Sequence, residues 1–182
     1  MEFAVLGWPP DGPTLELDYR QFSYAGKFVT PRTGKAVARE DGEIVAAVCF
    51  NDDRTDDETL WLRYVTVRTD RRGEGIAPRL IARVVAVARD RGYESIKIAV
   101  NNPFAYQALY RAGFGYTGEQ TGLAELVLAF PGDRSTGAYR TGLDVFRARD
   151  DMSDEERSFL EVNRESGPPS VLARVAERRS HW

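Results

Sequence analysis

One cysteine and one histidine among 182 residues remove whole classes of chemistry. A single thiol, Cys49, allows no internal disulfide and offers no cysteine-based metal cluster. It stands in the apolar run at residues 44–50, where a buried structural thiol is expected. The only histidine, His181, is next to the last residue, at a terminus of the kind that is commonly poorly ordered. The usual histidine-based triads and most zinc sites are thereby excluded, and no metal is expected. No apolar run approaches the roughly 20 residues needed to cross a bilayer. Residues 1–6 lack the basic start and cleavage pattern of a secretory leader. No membrane partner is expected, and the cytoplasm is the default location. The net charge of −3 gives no footing for a nucleic-acid partner. Neither Gly-x-x-x-x-Gly-Lys-Ser/Thr nor a Gly-x-Gly-x-x-Gly following a strand occurs, so the common nucleotide-binding loops are absent.

What is present is the material of one substantial core with room for an appendage. Leu60, Leu62, Val65 and Val67 mark a strand over residues 60–68. Gly73 and Gly75 follow, where the absence of Cβ lets a backbone turn tightly or approach a ligand. Ile76, Leu80, Ile81, Val84, Val87 and Ala88 then recur at helical spacing, and Gly92 ends the pattern. Backbone amides at such a turn point outward and the helix N-terminus adds partial positive charge, which makes an anion site suited to a phosphate.

A second block follows. Residues 93–100 alternate as a strand does. Asn102 then offers a helix cap, Pro103 a first helical residue that needs no N–H, and Gly113 a terminus. Ala105, Ala108, Leu109 and Ala112 are expected to form the packed stripe of that helix. Strands are also expected over residues 2–6, 14–19, 35–39 and 43–50, the last two joined by an Asp-Gly hairpin turn, and over 115–117 and 123–130. Residues 20–34 show no clean periodicity. The acidic stretch 51–58 reads as a solvated hairpin loop, or, if it faces a cleft, as an attractor of cations.

Arg72-Gly-Glu-Gly-Ile-Ala77, with Asn102, Ala105, Leu109, Tyr110, Gly113 and Phe114, resembles the two signature blocks of the GNAT superfamily of N-acetyltransferases. The resemblance runs from about residue 36 to 130, is poor before 35 and stops beyond 132. It implies the acyl-CoA N-acyltransferase fold: an α/β, three-layer arrangement around a mixed, mostly antiparallel, splayed sheet of about seven strands flanked by helices. Its one parallel pair would be the strands joined by the helix over 75–90. It further implies acetyl-CoA as co-substrate. Arg72, Gly73, Glu74, Gly75, Ile76 and Ala77 would hold the pyrophosphate. The backbone of Val65 and Val67 would meet the pantetheine arm and acetyl carbonyl, and Asn102 would cap its helix and touch the cofactor. Tyr110 would face the splay and protonate the departing thiolate, the alternatives being that it packs against Phe114 or only holds the CoA sulfur by a hydrogen bond. Relatives usually place two helices over the acceptor pocket where this chain has residues 20–34, so the acceptor site does not transfer.

Many relatives carry a glutamate on the strand before the loop, whereas residues 61–67 here contain no carboxylate. Glu125 is the candidate base, against the alternatives of an ordinary solvent-facing residue or a water chain. The expected activity is transfer of acetyl from acetyl-CoA to a primary amine, of a small molecule or of a peptide or protein, by direct attack in a ternary complex. The alternative is a non-catalytic acetyl-CoA-binding or regulatory module on the same fold. Residues 1–132 are expected to form the catalytic domain and 133–182 an extension. In the extension, 131–139 reads as a linker, Ser153-Asp-Glu-Glu156 opens a helix as a capping box, and 171–179 reads as a second helix. The extension would pack on the domain, form a dimer contact or act as a lid.

Overall fold

The computed structural model describes residues 1–172. Seven strands form one sheet: β1 (Glu2–Gly7), β2 (Gly34–Glu40), β3 (Glu43–Asp52), β4 (Thr59–Val67), β5 (Ser95–Val100), β6 (Gly115–Gln120) and β7 (Leu126–Phe130), in the order β1-β2-β3-β4-β5-β7-β6. Every pairing is antiparallel except β4 with β5. That exception follows from the crossover helix α1 (Ile76–Asp90), because two parallel neighbours need a long connection. The β2–β3 hairpin turns on Asp41 and Gly42, both at positive φ (51° and 81°), the geometry that matches strand twist.

The main core lies between the sheet and the helices α1 and α2 (Pro103–Arg111). Leu80, Ile81, Val84, Val85 and Ala88 of α1 are buried there against Leu60, Leu62 and Ile96 of the central strands. A smaller cluster on the opposite face holds Phe28, Val37, Ala47 and Cys49. The expected strand at residues 14–19 does not form. Leu15 and Leu17 do alternate toward the sheet, but they pack on that second face with Phe28, and only Leu15 makes a backbone bond, to the Phe28 carbonyl at 2.8 Å. Residues 20–34, which show no clean periodicity, hold one short 3₁₀ turn (Ala25–Val29). Lys35, wholly buried, ties this region down by donating to Thr30 O (2.8 Å), Thr33 O (3.0 Å) and Thr33 Oγ1 (2.6 Å). Cys49 is buried, as expected.

The extension departs from the linker reading. Residues Thr136–Arg147 form helix α3, capped by the Ser135 side chain on the Ala138 amide. Tyr139, Leu143 and Phe146 are fully buried in the main core, each worth about 1.5–3 kcal/mol of burial. Gly142 is what lets α3 lie so close, since a Cβ there would meet the Tyr106 hydroxyl at 2.1 Å. Helix α4 (Asp154–Val162) begins with the expected capping box of Ser153 and Glu156. The helix expected at 171–179 lies outside the described residues from 173 on. No helix among the described residues is long and apolar enough to cross a membrane.

Candidate functional site

The site begins with a defect in β4. Cys49 pairs with Tyr64 and Phe50 with Leu62, so Arg63 is an extra residue bulged out of the ladder. β4 and β5 pair only from Thr59–Ser95 to Leu62–Ile98, and beyond the bulge the two strands part. Arg68 N–H donates to Val45 O on β3, at 2.8 Å. Strand alternation turns Thr66 and Tyr64 the same way, which leaves the backbone groups of Val65 and Val67 facing the gap. Ile98, Ala99 and Val100 form the other wall of that gap.

At the upper end of the gap the loop 72–75 leads into α1. Gly73 and Gly75 both adopt positive φ (80° and 75°), and Gly75 caps the helix without a side chain. Among the described residues, the amides of Gly73, Gly75, Ile76 and Ala77 find no acceptor. Arg71 braces the loop by pairing with Glu74 (2.7 Å) and with Glu40. Those two hydrogen bonds raise its guanidinium above the ordinary value, while the Arg71 hydrogen bond holds Glu40 below the ordinary carboxylate range. The Glu74 side chain is thus spent on the brace. Arg72 makes no ion pair among the described residues; it donates to Ser23 Oγ (3.0 Å) and more weakly to Val67 O (3.4 Å).

Two cavities meet here. The larger, about 790 Å³, lies against Arg72, Gly73, Gly75, Ile76 and Ala77, reaches Asn102, and is closed by Glu155, Glu156 and Phe159 of α4. The smaller, about 500 Å³, runs down the gap past Val65 and Val67 to Tyr24, Tyr64, Arg63 and Glu125. Asn102 lines both; its side chain accepts from the Ala105 amide at 2.8 Å, so it caps α2 at the junction.

Helix α2 packs Ala105, Leu109 and Ala112 on the main core as expected, but Tyr110 does not face the gap. Ala105, Ala108 and Leu109 line the gap, while Tyr106 and Tyr110 turn inward to the aromatic core with Tyr139 and Phe146. Tyr110 is 0% exposed, and its hydroxyl accepts the Tyr116 amide at 2.9 Å. The expectation that its phenol faces the splay is corrected. A residue next to Leu109 stands about 100° round the helix, and the extension supplies the apolar partners that hold it there. Tyr106 is wholly buried too, and burial pushes its phenol far above the ordinary value.

Glu125 precedes β7 rather than lying within it, and it lines the smaller cavity. Its position is fixed locally: Thr121 N donates to Glu125 O (2.9 Å), Glu125 N donates to Thr121 Oγ1 (3.2 Å), and that hydroxyl lies 3.3 Å from Glu125 Oε1. Ala124 beside it is held at φ 60° while Arg149, just after α3, donates to the Ala124 and Asn101 carbonyls. The acidic loop 51–58 lies at the far end of β4 and folds on itself. Asp53 accepts from the Thr55 and Asp56 amides and from Trp61 Nε1, and these bonds lower its carboxyl to about 2.

The sequence reading gave no place at the site to Ser23, Thr66 or Phe159. Thr66 Oγ1 is buried beside the gap without a hydrogen-bond partner among the described residues. Its signal would have been the bulge at Arg63, which shifts the facing of every later residue of β4 and leaves no mark in composition. Among the described residues no group of side chains is placed to hold a metal ion.

A sequence model described as the acetyltransferase (GNAT) family matches residues 2–116. No curated protein matches the chain in sequence. Among solved structures the chain is similar to an N-acetyltransferase from Staphylococcus aureus Mu50, with 22% identity and a TM-score of 0.46 over 53% of this chain. It spans 64% of that protein's length. It is similar to YncA from Salmonella typhimurium, a structure with its cofactor acetyl-CoA, at 19% identity and TM-score 0.48, covering 53% of this chain and 63% of that one. Nourseothricin acetyltransferase is similar at 18% identity and TM-score 0.49, over 70% of this chain and 96% of that one.

Proposed function

Because the chain belongs to the acetyltransferase (GNAT) family, we propose that it transfers acetyl from acetyl-CoA to a primary amine by direct attack in a ternary complex. The observation that carries this reading is the junction of the two cavities at the open side of β4. One cavity is lined by amides that find no acceptor among the described residues and the other by a carboxylate.

The unpaired amides of Gly73, Gly75, Ile76 and Ala77 bind the diphosphate, helped by the dipole of a 15-residue helix. Arg72, without an ion-pair partner among the described residues, adds positive charge at the loop. The outward backbone of Val65 and Val67 aligns the pantetheine arm in the gap and donates to the acetyl oxygen. A fixed donor aimed at a developing oxyanion is worth about 3–4 kcal/mol of transition-state stabilisation. The amine enters from the side of Tyr24, Tyr64 and Glu125, where the unpartnered Thr66 hydroxyl is available to it. As the C–N bond forms, Glu125 takes the proton from nitrogen. As the C–S bond breaks, the thiolate leaves and takes a proton from water, since α2 presents alanine and leucine rather than a phenol to the gap.

The non-catalytic module remains as a second reading, favoured by the absence of any carboxylate along β4 and by the burial of Tyr110. Release of free thiol from acetyl-CoA, followed across a panel of amines, separates the two. The transferase reading expects amine-dependent release, with Glu125→Gln lowering kcat about 100-fold. Saturable acetyl-CoA binding without turnover of any amine would favour the module. A Glu125→Gln variant turning over at the wild-type rate would remove the base assignment.

A further inference from the structure

Besides Arg72 of the loop before α1, the acceptor cavity is lined by two opposite charges without an ion-pair partner among the described residues. Glu125 is the only carboxylate among its described lining residues, and it forms no ion pair there. Arg63, the bulged residue of β4, lines the same cavity. Its Nε donates to the neutral Asn51 Oδ1 at 2.6 Å, and its guanidinium carbon sits 5.2 Å from the centre of the Trp61 ring. Among the described residues neither of its terminal nitrogens has an acceptor.

Several other arginines of the protein, though not Arg72, are treated differently. Arg68, Arg71 and Arg147 have carboxylate partners, and Arg134 and Arg149 are spent on backbone carbonyls. The carboxylate nearest to hand for Arg63, Asp53, is already used by two amides and the Trp61 indole. A guanidinium held at Nε and set over an aromatic ring has less side-chain freedom to lose on binding, and its two terminal nitrogens can form a fork that matches a carboxylate in bidentate fashion. Lys97, 6.0 Å from the same Trp61 ring, adds to the positive field.

We propose that the acceptor is an amino acid-like molecule, a primary amine that also carries a carboxylate, with its nitrogen beside Glu125 and its carboxylate on the Arg63 fork. This rests on the acetyl-transfer reading and narrows its substrate class. The aromatic pair Tyr24 and Tyr64, ring centres 5.5 Å apart at the cavity wall, provides the apolar surface for the acceptor's body.

The test uses sets of three acceptors with one carbon skeleton: the amino acid, its carboxamide, and the amine lacking that group. Wild-type kcat/KM for the acid is expected to exceed both others by about 10- to 100-fold, chiefly through KM, the range for a hydrogen bond to a charged group. Arg63→Gln should shrink the acid-to-amide ratio to within about threefold, and Arg63→Lys should restore part of it. Both variants are checked for acetyl-CoA affinity and melting temperature, which a fold defect would change. Turnover of all three acceptors at similar efficiency, or a preference that survives in Arg63→Gln, overturns this inference alone. No thiol release with any acceptor overturns the transferase reading as well.

Discussion

Tyr110 shows how a single residue can carry a motif and still serve another purpose. Its place beside Leu109 in the second signature block suggests a proton donor, yet the structure spends its hydroxyl on the Tyr116 amide and its ring on Tyr106 and Tyr139. Arg134 adds to this packing, lying 5.2 Å over the Tyr110 ring while donating to the Tyr110 and Phe114 carbonyls. Removing the hydroxyl would leave a buried amide unsatisfied, at a cost of about 1–3 kcal/mol. Tyr110→Phe is therefore expected to lower the urea midpoint while leaving kcat within about twofold of wild type. A tenfold or greater fall in kcat with unchanged stability would return the phenol to the chemistry. Glu125 is the converse case. Its neighbours in sequence read as an ordinary strand, and only the turn at Thr121–Ala124 aims it into the cavity.

Elements whose signal is local were legible in the sequence. Helix α1, the Asp41-Gly42 hairpin, the Asn102 cap and the Ser153 box all lie close to their expected places because each depends on residues within a turn of one another. What failed depended on distant partners. Residues 14–19 alternate correctly but lie across the face over Phe28 instead of adding to an edge. Helix α3 opens at a Ser135 cap and buries Tyr139, Leu143 and Phe146, a spacing of four and three that the surrounding glycine, threonine and arginine residues obscure. The α1 N-terminus carries its own prediction. Gly75 sits at φ 75°, where an L-residue costs about 1–2 kcal/mol. A Cβ there would also lie 3.1 Å from Leu172 Cδ1, and Leu172 is anchored by its N–H to Arg111 O at 2.9 Å. Gly75→Ala should lower the melting temperature and weaken acetyl-CoA about tenfold, read by thermal melts with and without ligand. Unchanged affinity would separate this turn from the cofactor.

At the scale of the whole molecule, the extension is part of the body that holds the site. α3 supplies three fully buried side chains to the main core, and Tyr106 donates to the Tyr139 carbonyl at 2.9 Å. α4 meets α2 through Phe159 and Phe104, rings 5.2 Å apart, and closes the wall of the larger cavity. Arg134 ties the chain after α4 to α2 by donating to Pro169 O at 3.0 Å. The matched family region ends at residue 116, so β7, Glu125 and both of these helices lie outside it. The two helices lie where the resemblance stops, beyond residue 132, and could not be read from it, whereas the cofactor loop could. The central claim is that the amides at 73–77 grip a diphosphate and so aim a thioester into the gap beside Val65 and Val67. Calorimetric titration of the folded protein with acetyl-CoA tests it most directly. The account predicts saturable heat at one site per chain, competed by free CoA. A folded protein giving no heat and no saturation would contradict it.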